Sequence, residues 1–368
     1  MQHQVLHPLT SSSFLNLVRL TASYGCQPRF VPRLLYLGLV CALRRPLAWL
    51  ESARYGRAIR RQKIEPAPIF VVGHWRSGTT HLQNLLCQDP QFGRVTLLQA
   101  GMPHDFLVFP DKLLGRMQEM LPQTRLMDNV AVSADAPWEE EMALVSLSRL
   151  SFYHVSFFPR EVEGIFREAV LLNGGDEETI ERWQRHYLYF LKKVQLADPD
   201  RRLLLKNPAN TARISVLRKL FPKAKFIHIH RDPYRVFTST VHLYLKAQEA
   251  WGLHAVDRDH VVRHILESYP QLMTAYFEQR GALGEDELVE VSFHDLQQDP
   301  MRALATIYRQ IGLEHYDAAA PLFSRYIEGQ QNYSKNVLSL SDWERNEVSR
   351  RWRQVFDELG YAVRPVQN

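Results

Sequence analysis

Glycines, hydroxyls and one cation stand together in one short segment of this chain, Gly73-His74-Trp75-Arg76-Ser77-Gly78-Thr79-Thr80. The apolar run 69–72 precedes it, and Leu82, Leu85 and Leu86 follow it at helical spacing. This order predicts a strand, a loop that cradles a phosphate, and a helix whose N-terminal amides favour an anion.

The loop departs from the nucleotide-binding pattern G-x-x-x-x-G-K-[ST] in one chemical respect. Gly73 and Gly78 have the right separation, but Thr79 stands where the lysine belongs, and Arg76 is the only cation of the loop. In ATP and GTP enzymes that lysine reaches the β- and γ-phosphates, while a hydroxyl holds magnesium. A loop that keeps the glycines and hydroxyls but moves the cation is expected to bind a different phosphorylated donor.

Two further cations come at the ends of predicted strands. Lys206 follows the apolar run 203–205, and Arg231 follows the run 226–230. Ligands of parallel sheets bind beyond the carboxyl ends of the strands, so we expect both cations to converge on the 73–80 loop. Ser239 lies two turns into a helix predicted from residue 233. Arg231 and Ser239 are expected to grip a second phosphate, because a guanidinium gives directional hydrogen bonds to phosphate oxygens.

Apolar runs alternate with helical patterns from residue 69 onward, which predicts an α/β fold with a mostly parallel sheet flanked by helices. Strands are predicted at 69–72, 202–205, 225–230 and 287–292. Helices are predicted at 80–88, 137–150, 161–172, 176–195, 211–220, 233–250, 258–280, 300–312 and 341–358. The prolines of segment 65–68 predict a hinge between a helical extension, 1–64, and one α/β domain, 65–368.

The composition is that of a globular protein made for a reducing compartment. The 368 residues are 45% apolar and 23% charged, which allows a sizeable core. The three cysteines, Cys26, Cys41 and Cys87, are widely spaced and fit neither a metal-ligand pattern nor a disulfide framework. A cytoplasmic location is therefore expected.

The net charge of +5 is distributed unevenly. Residues 1–64 hold ten Lys or Arg and one acid, Glu51, so they carry +9 and the rest of the chain carries −4. The apolar run 34–43 within this segment is too short to cross a bilayer. Two interpretations stay open: a helical extension packed on the main domain, or a basic amphipathic segment peripheral at an anionic membrane. We expect no nucleic-acid binding, because no recognised motif accompanies the charge.

Together these motifs resemble sulfotransferases that use 3′-phosphoadenosine-5′-phosphosulfate (PAPS), most closely the bacterial-type branch whose loop reads G-H-W-R-S-G-T-T. Arg76-Ser77-Gly78-Thr79-Thr80 resembles the loop for the 5′-phosphosulfate, and Arg231 with Ser239 resembles the 3′-phosphate element. Lys206-Asn207-Pro208 resembles the lysine-bearing segment, and 291–300 is similar to the late E/H-D-L, D-P element. The resemblance covers roughly residues 66–360 and implies a P-loop-like three-layer fold.

The resemblance implies in-line transfer of a sulfuryl group from PAPS to a hydroxyl or amine, without a metal and with PAP as the product. The charge of the transferred group lies on peripheral oxygens, so catalysis is mainly positioning and electrostatic stabilisation. Arg76 and Lys206 are the candidate catalytic cations. Ser77, Gly78, Thr79 and Thr80 are expected to cradle the 5′-phosphate.

Some positions depart from the cytosolic members of this family. Those members often place a histidine two residues after the lysine, where this chain has Pro208. The general base is therefore expected in the acidic run after Pro137, which resembles the P-x-E-D/E-E segment of the bacterial-type branch, with Glu139 or Glu140 preferred. Alternatively, these acids only complement the helix dipole.

Other nucleotide contacts are less directly indicated. His81 stands where cytosolic members often stack a tryptophan on adenine, so either His81 stacks or adenine is held elsewhere. The late G-x-x-G-x-x-K element is absent, and Ser334 or Lys335 is the candidate replacement near the 3′-phosphate. His228 and His230 share one strand face, but no third ligand lies nearby in sequence, so we expect no metal site.

Two other classes of function compete with this interpretation. One is a nucleotide-dependent kinase with a degenerate phosphate loop, and the other is a non-catalytic, membrane-associated binding protein of the same fold. The acceptor is expected to be a small molecule, a lipid or a carbohydrate. Aromatic residues in segments 100–135, 151–180 and 245–260 suggest an apolar-walled pocket, and with the basic N-terminal segment they indicate a lipid or a lipid-linked glycan; a soluble metabolite or a carbohydrate is almost equally consistent with the sequence.

Overall fold

The computed structural model of this protein describes residues 7–109, 132–330 and 339–364, together with residues 115, 118, 119 and 121. The chain divides into two compact units, which we call the helical unit and the sheet unit. The helical unit comprises Met1–Glu65, Gly93–Arg201 and Lys246–Val256, and the sheet unit comprises Pro66–Phe92, Arg202–Leu245 and Asp257–Asn368. The division into an extension, 1–64, and one domain, 65–368, stays a prediction.

Five strands form one sheet in the order β2-β3-β1-β4-β5. Their bounds are β1 Ile69–Val72, β2 Phe92–Arg94, β3 Arg202–Lys206, β4 Lys225–His230 and β5 Leu288–Ser292. Strand β1 pairs in parallel with β3 and β4, and β4 pairs in parallel with β5. The register sets Val71 beside Lys206 and Val72 beside His228, so these strands end at one edge of the sheet. The predicted α/β fold is confirmed.

Helices account for most of the other described residues. The α-helices longer than four residues are α1 Phe14–Tyr24, α2 Val31–Arg61, α3 Thr79–Leu86, Leu97–Gly101, Glu140–Leu147, Glu177–Ala197, Ile214–Leu220, Pro233–Trp251, Arg258–Arg280, Phe293–Gln298, Pro300–Gln310, Tyr316–Gly329, Asp342–Arg351 and Arg353–Leu359. Shorter helical turns are Pro8–Ser11, Pro28–Phe30, Phe152–Ser156, Pro159–Glu161, Val162–Ile165, Phe166–Val170, Leu172–Gly175 and Pro208–Ala212.

The four predicted strands are confirmed to within one residue at each end, since continuous apolar runs mark buried parallel strands. The predicted helix 161–172 is wrong as a single element. It is broken into a short α-turn and a π-turn, after which Leu172 and Asn173 take positive φ values of 50° and 53°. Strand β2 was not predicted, because three residues that include Gly93 carry too little pattern.

The central strand of the sheet is buried on both faces. Ile69 and Val71 belong to one apolar cluster with Leu82, Leu85 and Leu86 of α3. On strands β1 and β4, Phe70 stacks on Phe226 with ring centroids 5.5 Å apart. This packing holds the end of β1, and therefore the start of the 73–80 loop, in a fixed place.

In the helical unit a buried ion pair joins α2 to the helix Glu177–Ala197. Lys193 donates to the Glu51 carboxylate and to the Pro103 carbonyl oxygen, and the Leu107 N–H donates to the second Glu51 oxygen at 2.8 Å. Both side chains are buried, and burial raises the pKa of Glu51 and lowers the pKa of Lys193. Each charge therefore depends on the other for its stability in the interior.

Two further observations concern membrane-spanning helices and cysteines. Among the described residues, no helix is both long and apolar enough to cross a membrane. Cys26, Cys41 and Cys87 are all free.

Breaking the buried pair is expected to destabilise the helical unit. Lys193→Met leaves the Glu51 carboxylate without its cation, which costs about 3–5 kcal/mol in the free energy of unfolding. The double variant Glu51→Gln with Lys193→Met is expected to lose less than Lys193→Met alone. Urea titration followed by circular dichroism measures both.

The matched control for this prediction is an exposed ion pair. Arg353 donates to Asp357 on the surface, and Arg353→Gln is expected to change the free energy of unfolding by less than about 1 kcal/mol. Equal losses for Lys193→Met and Arg353→Gln would contradict the structural role given to the buried pair.

Candidate active site

The 73–80 loop leaves the sheet through a narrow gap at Gly73. Gly73 has φ of 136°, and a Cβ there would stand 2.2 Å from the Ile229 carbonyl oxygen of β4. The Gly73 N–H donates to the Thr211 hydroxyl at 2.7 Å, and the Ser77 N–H donates to the His74 carbonyl oxygen at 3.1 Å. Only glycine allows the backbone to pass this close to β4.

A second close approach occurs at Gly78, the residue before α3. Its φ is 108°, and a Cβ there would stand 2.2 Å from the Phe293 ring. Phe293 begins the helix that follows β5. Each glycine of the motif is therefore required for its own steric reason. The Ile229 carbonyl oxygen leaves no space for a Cβ at Gly73, and the Phe293 ring leaves none at Gly78.

Arg76 lies between these glycines with a positive φ of 71°, a strained conformation for a residue with a side chain. Its Nε donates to the Ser239 hydroxyl at 2.8 Å, and its carbonyl oxygen accepts from Arg231 Nη1 at 3.4 Å. The predicted 5′-phosphate residue Arg76 and the predicted 3′-phosphate residues Arg231 and Ser239 thus form one connected group. From the sequence they are expected at two separate phosphates.

Lys206 forms a second cationic position, next to α3. Its side chain is 1% exposed, and Nζ donates to the Thr80 hydroxyl at 3.3 Å. Because β3 runs parallel to β1, the strand register brings Lys206 beside Val71, at the start of the loop. The predicted convergence of the 73–80 loop, Lys206 and Arg231 is therefore observed.

Phe293 packs against the arginine of this group and against His81. The Arg231 guanidinium lies over its ring, 4.6 Å from the centroid, and His81 meets the ring edge-on with centroids 6.2 Å apart. A cation held on an aromatic face keeps its N–H groups available in the plane of the guanidinium. Phe293 lies inside a motif of the sequence, but its contact with Arg231 is not predictable from that motif. The hydrogen bond that Thr211 accepts from the Gly73 N–H is likewise not predictable.

The loop has the features of a phosphate cradle. The Ser77 hydroxyl is buried and has no hydrogen-bond partner among the residues that the structure describes. The first turn of α3, at Thr79 and Thr80, begins directly after Gly78, so its backbone N–H groups face the loop. An oxyanion bound here would meet backbone amides, hydroxyls and the Lys206 ammonium together.

The predicted base residues belong to the helical unit. Glu139 is the N-cap of the helix Glu140–Leu147 and is mostly buried. Glu140 Oε1 accepts from the Tyr187 hydroxyl at 2.9 Å, and Glu141 Oε1 accepts from the Phe152 N–H at 2.7 Å. Glu140 and Glu141 thus each have a packing role.

Histidines near the sheet edge are packed residues. His228 is buried and stacks on Tyr276 with centroids 3.9 Å apart, and His230 Nδ1 shares a hydrogen bond of 2.8 Å with the Tyr361 hydroxyl. Burial lowers the pKa of His230 to about 4 and that of His74 to about 3, so both are neutral at pH 7. In the described ranges no cluster of three or more His, Cys, Asp or Glu side chains could hold a metal ion.

Two predicted contacts are not described by the structure. Ser334 and Lys335, proposed for the 3′-phosphate, lie outside the described residues.

Comparisons with known proteins identify the family to which this chain belongs. A family model described as the sulfotransferase family matches residues 68–318, a range that holds Arg76, Lys206, Arg231, Ser239 and the Glu139–Glu140 pair. The omega-hydroxy-beta-dihydromenaquinone-9 sulfotransferase Stf3 of Mycobacterium bovis is 31% identical over 307 residues, which cover 83% of this chain and 78% of that protein.

Two solved structures share the fold. Sulfotransferase STF9 from Mycobacterium avium superposes with a TM-score of 0.71 at 19% identity and covers 96% of this chain and 98% of its own. Sulfotransferase STF1 from Mycobacterium tuberculosis H37Rv superposes with a TM-score of 0.64 at 20% identity and covers 92% of this chain and 90% of its own.

The extent of the family match and the identity to a curated relative decide between the interpretations of the phosphate loop. The kinase and the non-catalytic alternatives are set aside, and the enzymatic interpretation is confirmed. The chain belongs to the sulfotransferase family and is a transferase that moves a sulfuryl group to an acceptor.

Proposed function

We propose that this enzyme takes the sulfuryl group from PAPS and transfers it, without a metal, to a hydroxyl of a lipid-like acceptor. The observation that carries the proposal is the joined group of Arg76, Ser239 and Arg231 beside the Lys206–Thr80 contact. PAPS has a phosphosulfate at one end of its ribose and a lone phosphate at the other. Two cationic positions adjoin the 73–80 loop, Lys206 and the pair of Arg76 with Arg231, and they match the two anionic groups of this donor. The triphosphate of ATP is one continuous chain, so its binding does not need a separate arginine cluster to one side.

In this proposal the 5′-phosphosulfate lies against Ser77, Gly78, Thr79 and Thr80. The amides of the first turn of α3 and the open Ser77 hydroxyl hold its oxygens. The 3′-phosphate binds Arg231 and Ser239. Arg76, which already donates to Ser239, then spans both phosphates, and His81 lies next to the adenosine.

The chemical step is an in-line displacement at sulfur. The acceptor oxygen forms the new S–O bond while the bond from sulfur to the 5′-phosphate oxygen breaks, and PAP leaves with the electron pair. Lys206 and Arg76 stabilise the negative charge that grows on this leaving oxygen. Lys206 suits this task because it is buried and therefore acts in a low dielectric.

The acceptor proton must go to a base, and we assign it to Glu139. Glu140 is the second candidate, but the hydrogen bond from Tyr187 gives it a structural task. A carboxylate in this role accepts the proton as the S–O bond forms. The assignment is carried by the resemblance of the Pro137–Glu141 segment to the bacterial-type branch.

A lipid acceptor is proposed from the named relative. By its name, the Mycobacterium bovis enzyme acts on omega-hydroxy-beta-dihydromenaquinone-9, a menaquinone derivative with a hydroxyl group at its omega position. We propose the same class of acceptor for this enzyme. A lipid acceptor also implies that the enzyme works in the cytoplasm, at the membrane surface. Small soluble molecules and carbohydrates are the competing acceptors.

The donor assignment is tested by binding PAP without magnesium. Arg231→Ala is expected to weaken PAP binding about 10–100-fold in calorimetric titration, because it removes charged hydrogen bonds to the 3′-phosphate. Arg235→Ala, at an exposed arginine in the first turn of the helix Pro233–Trp251, four residues after Arg231, is the control and is expected to bind like the natural protein. Magnesium-dependent binding of ATP with no binding of PAP is the result that defeats the proposal.

The base assignment is tested by comparing two neighbouring glutamates. Glu139→Gln is expected to lower kcat by about 10²–10⁴ with unchanged PAP affinity, because the proton acceptor is lost and the donor site is kept. Glu140→Gln is expected to lower the free energy of unfolding by about 1–3 kcal/mol with a small change in kcat. The reverse pattern of kcat values would show that Glu140, and not Glu139, is the base.

The acceptor class is tested by label transfer from sulfur-labelled PAPS. An isoprenoid quinone with a terminal hydroxyl, presented in detergent, is expected to accept label, and the same quinone without the hydroxyl is expected to accept none. A panel of soluble sugars serves as the comparison. Transfer to sugars, with no transfer to the hydroxylated quinone, contradicts the lipid proposal and leaves the donor assignment in place.

A further inference from the structure

The outer face of α2 is apolar where a surface helix usually carries charge. Leu35, Leu39, Leu43 and Leu50 recur on one side of the helix and are 69%, 60%, 69% and 53% exposed. Trp49, next to them, is 62% exposed. A contiguous apolar surface of this kind marks an interaction site.

The opposite face of α2 already has its packing partners. Leu37, Cys41 and Ile59 are buried there, and the helix packs against Pro8–Ser11 and Glu177–Ala197 within the helical unit. Helix α2 is thus apolar on two sides. The inner side belongs to the core, and the outer side is exposed.

Helix α1 widens this exposed surface. Phe14, Leu15 and Val18 are all exposed on it. Phe14 lies alongside α2, because a Cβ built on Gly38 would stand 3.6 Å from the edge of its ring. The apolar surface therefore spans two helices. We call it the α1–α2 face.

The exposed charges on α1 and α2 themselves have one sign. The spacing that places Leu43 and Leu50 on the outer side continues through Arg54, Arg57 and Arg61, which are exposed. Arg45 lies over Trp49, with its guanidinium carbon 5.0 Å from the ring centroid. The one acid of α2, Glu51, is buried against Lys193, and α1 holds no acid at all. Both helices therefore present apolar side chains and cations with no exposed carboxylate.

We infer that the α1–α2 face docks on an anionic lipid bilayer. The leucines and Trp49 enter the boundary between headgroups and acyl chains, and Arg54, Arg57 and Arg61 bind lipid phosphates. The helix lies along the membrane plane, because its inner face is held by the helical unit. A second copy docking by the same face would offer apolar contacts but no carboxylate for the arginines, so the charges favour the bilayer. This inference does not depend on the donor or acceptor proposed above.

The test uses the full chain and vesicles of stated composition. Binding is measured by co-sedimentation with vesicles of phosphatidylglycerol and phosphatidylcholine in equal parts, and with vesicles of phosphatidylcholine alone. The protein is expected to bind the anionic vesicles more tightly and to lose affinity as salt rises from about 0.1 to about 0.5 M. Arg57→Gln with Arg61→Gln is expected to weaken binding to anionic vesicles by about 25-fold, at about fivefold per arginine.

The apolar part of the face has its own variants. Leu39→Glu with Leu43→Glu is expected to lower binding to anionic vesicles at least tenfold, because it removes inserted surface and adds like charge to the lipids. Trp343→Glu, an exposed aromatic residue of the sheet unit, is the control and is expected to bind normally. Unchanged PAP affinity and thermal midpoint in the Leu39→Glu, Leu43→Glu variant show that it is folded.

Trp49 supplies a direct probe of insertion. Brominated acyl chains are expected to quench tryptophan fluorescence in the natural protein and in Trp343→Phe, and to lose most of that effect in Trp49→Phe. The inference is overturned by the absence of binding to anionic vesicles at low salt, or by normal binding of the Leu39→Glu, Leu43→Glu variant. It is also overturned if those substitutions only dissociate a dimer, since the face then docks a second copy of the chain.

Discussion

The site depends on how closely the backbone of the 73–80 loop approaches its neighbours. At Gly73 the loop passes the Ile229 carbonyl oxygen, and at Gly78 it passes the Phe293 ring, in each case at a distance that leaves no space for a Cβ. These approaches turn the chain sharply from β1 into α3 and hold Arg76 in its left-handed conformation. The loop amides, the Ser77 hydroxyl and the first turn of α3 are thereby held close together. Any side chain at either glycine would move all of these groups at once.

The electrostatics of the site follow from the same geometry. The lysine of the usual nucleotide-binding loop is absent here, and two cations from separate strand ends stand near the loop instead. Lys206 is the last residue of β3, and Arg231 directly follows β4. Arg76 joins Arg231 to Ser239, because its Nε donates to the Ser239 hydroxyl and its carbonyl oxygen accepts from Arg231, while Lys206 donates to the Thr80 hydroxyl. In the proposed donor arrangement, Lys206 stabilises the leaving group, and Arg231 with Ser239 binds the other phosphate. This arrangement fits the separated anionic groups of PAPS better than the continuous chain of phosphates in ATP.

Much of this could be predicted from the sequence, and the failures have physical causes. Buried parallel strands such as 69–72 and 225–230 carry continuous apolar runs, so their positions, and the edge where Lys206 and Arg231 meet the loop, were predictable. The hydrogen bond from Arg76 to Ser239 was not predictable, because Arg76 takes a positive φ that is unusual for a residue other than glycine. Phe293 and Thr211 were missed because their roles arise from tertiary contacts between distant segments. The outer face of α2 lay within a recognised basic segment, but only packing shows which of its apolar residues are buried and which are exposed.

The measurement that tests the account most directly is a crystal structure of the protein with PAP. The account predicts the 5′-phosphate within hydrogen-bond distance of the Thr79 and Thr80 amides and of Lys206, with the 3′-phosphate on Arg231 and Ser239. Arg76 is expected between the two phosphates. A nucleotide bound in the reverse direction, or one bound away from the 73–80 loop, would contradict it.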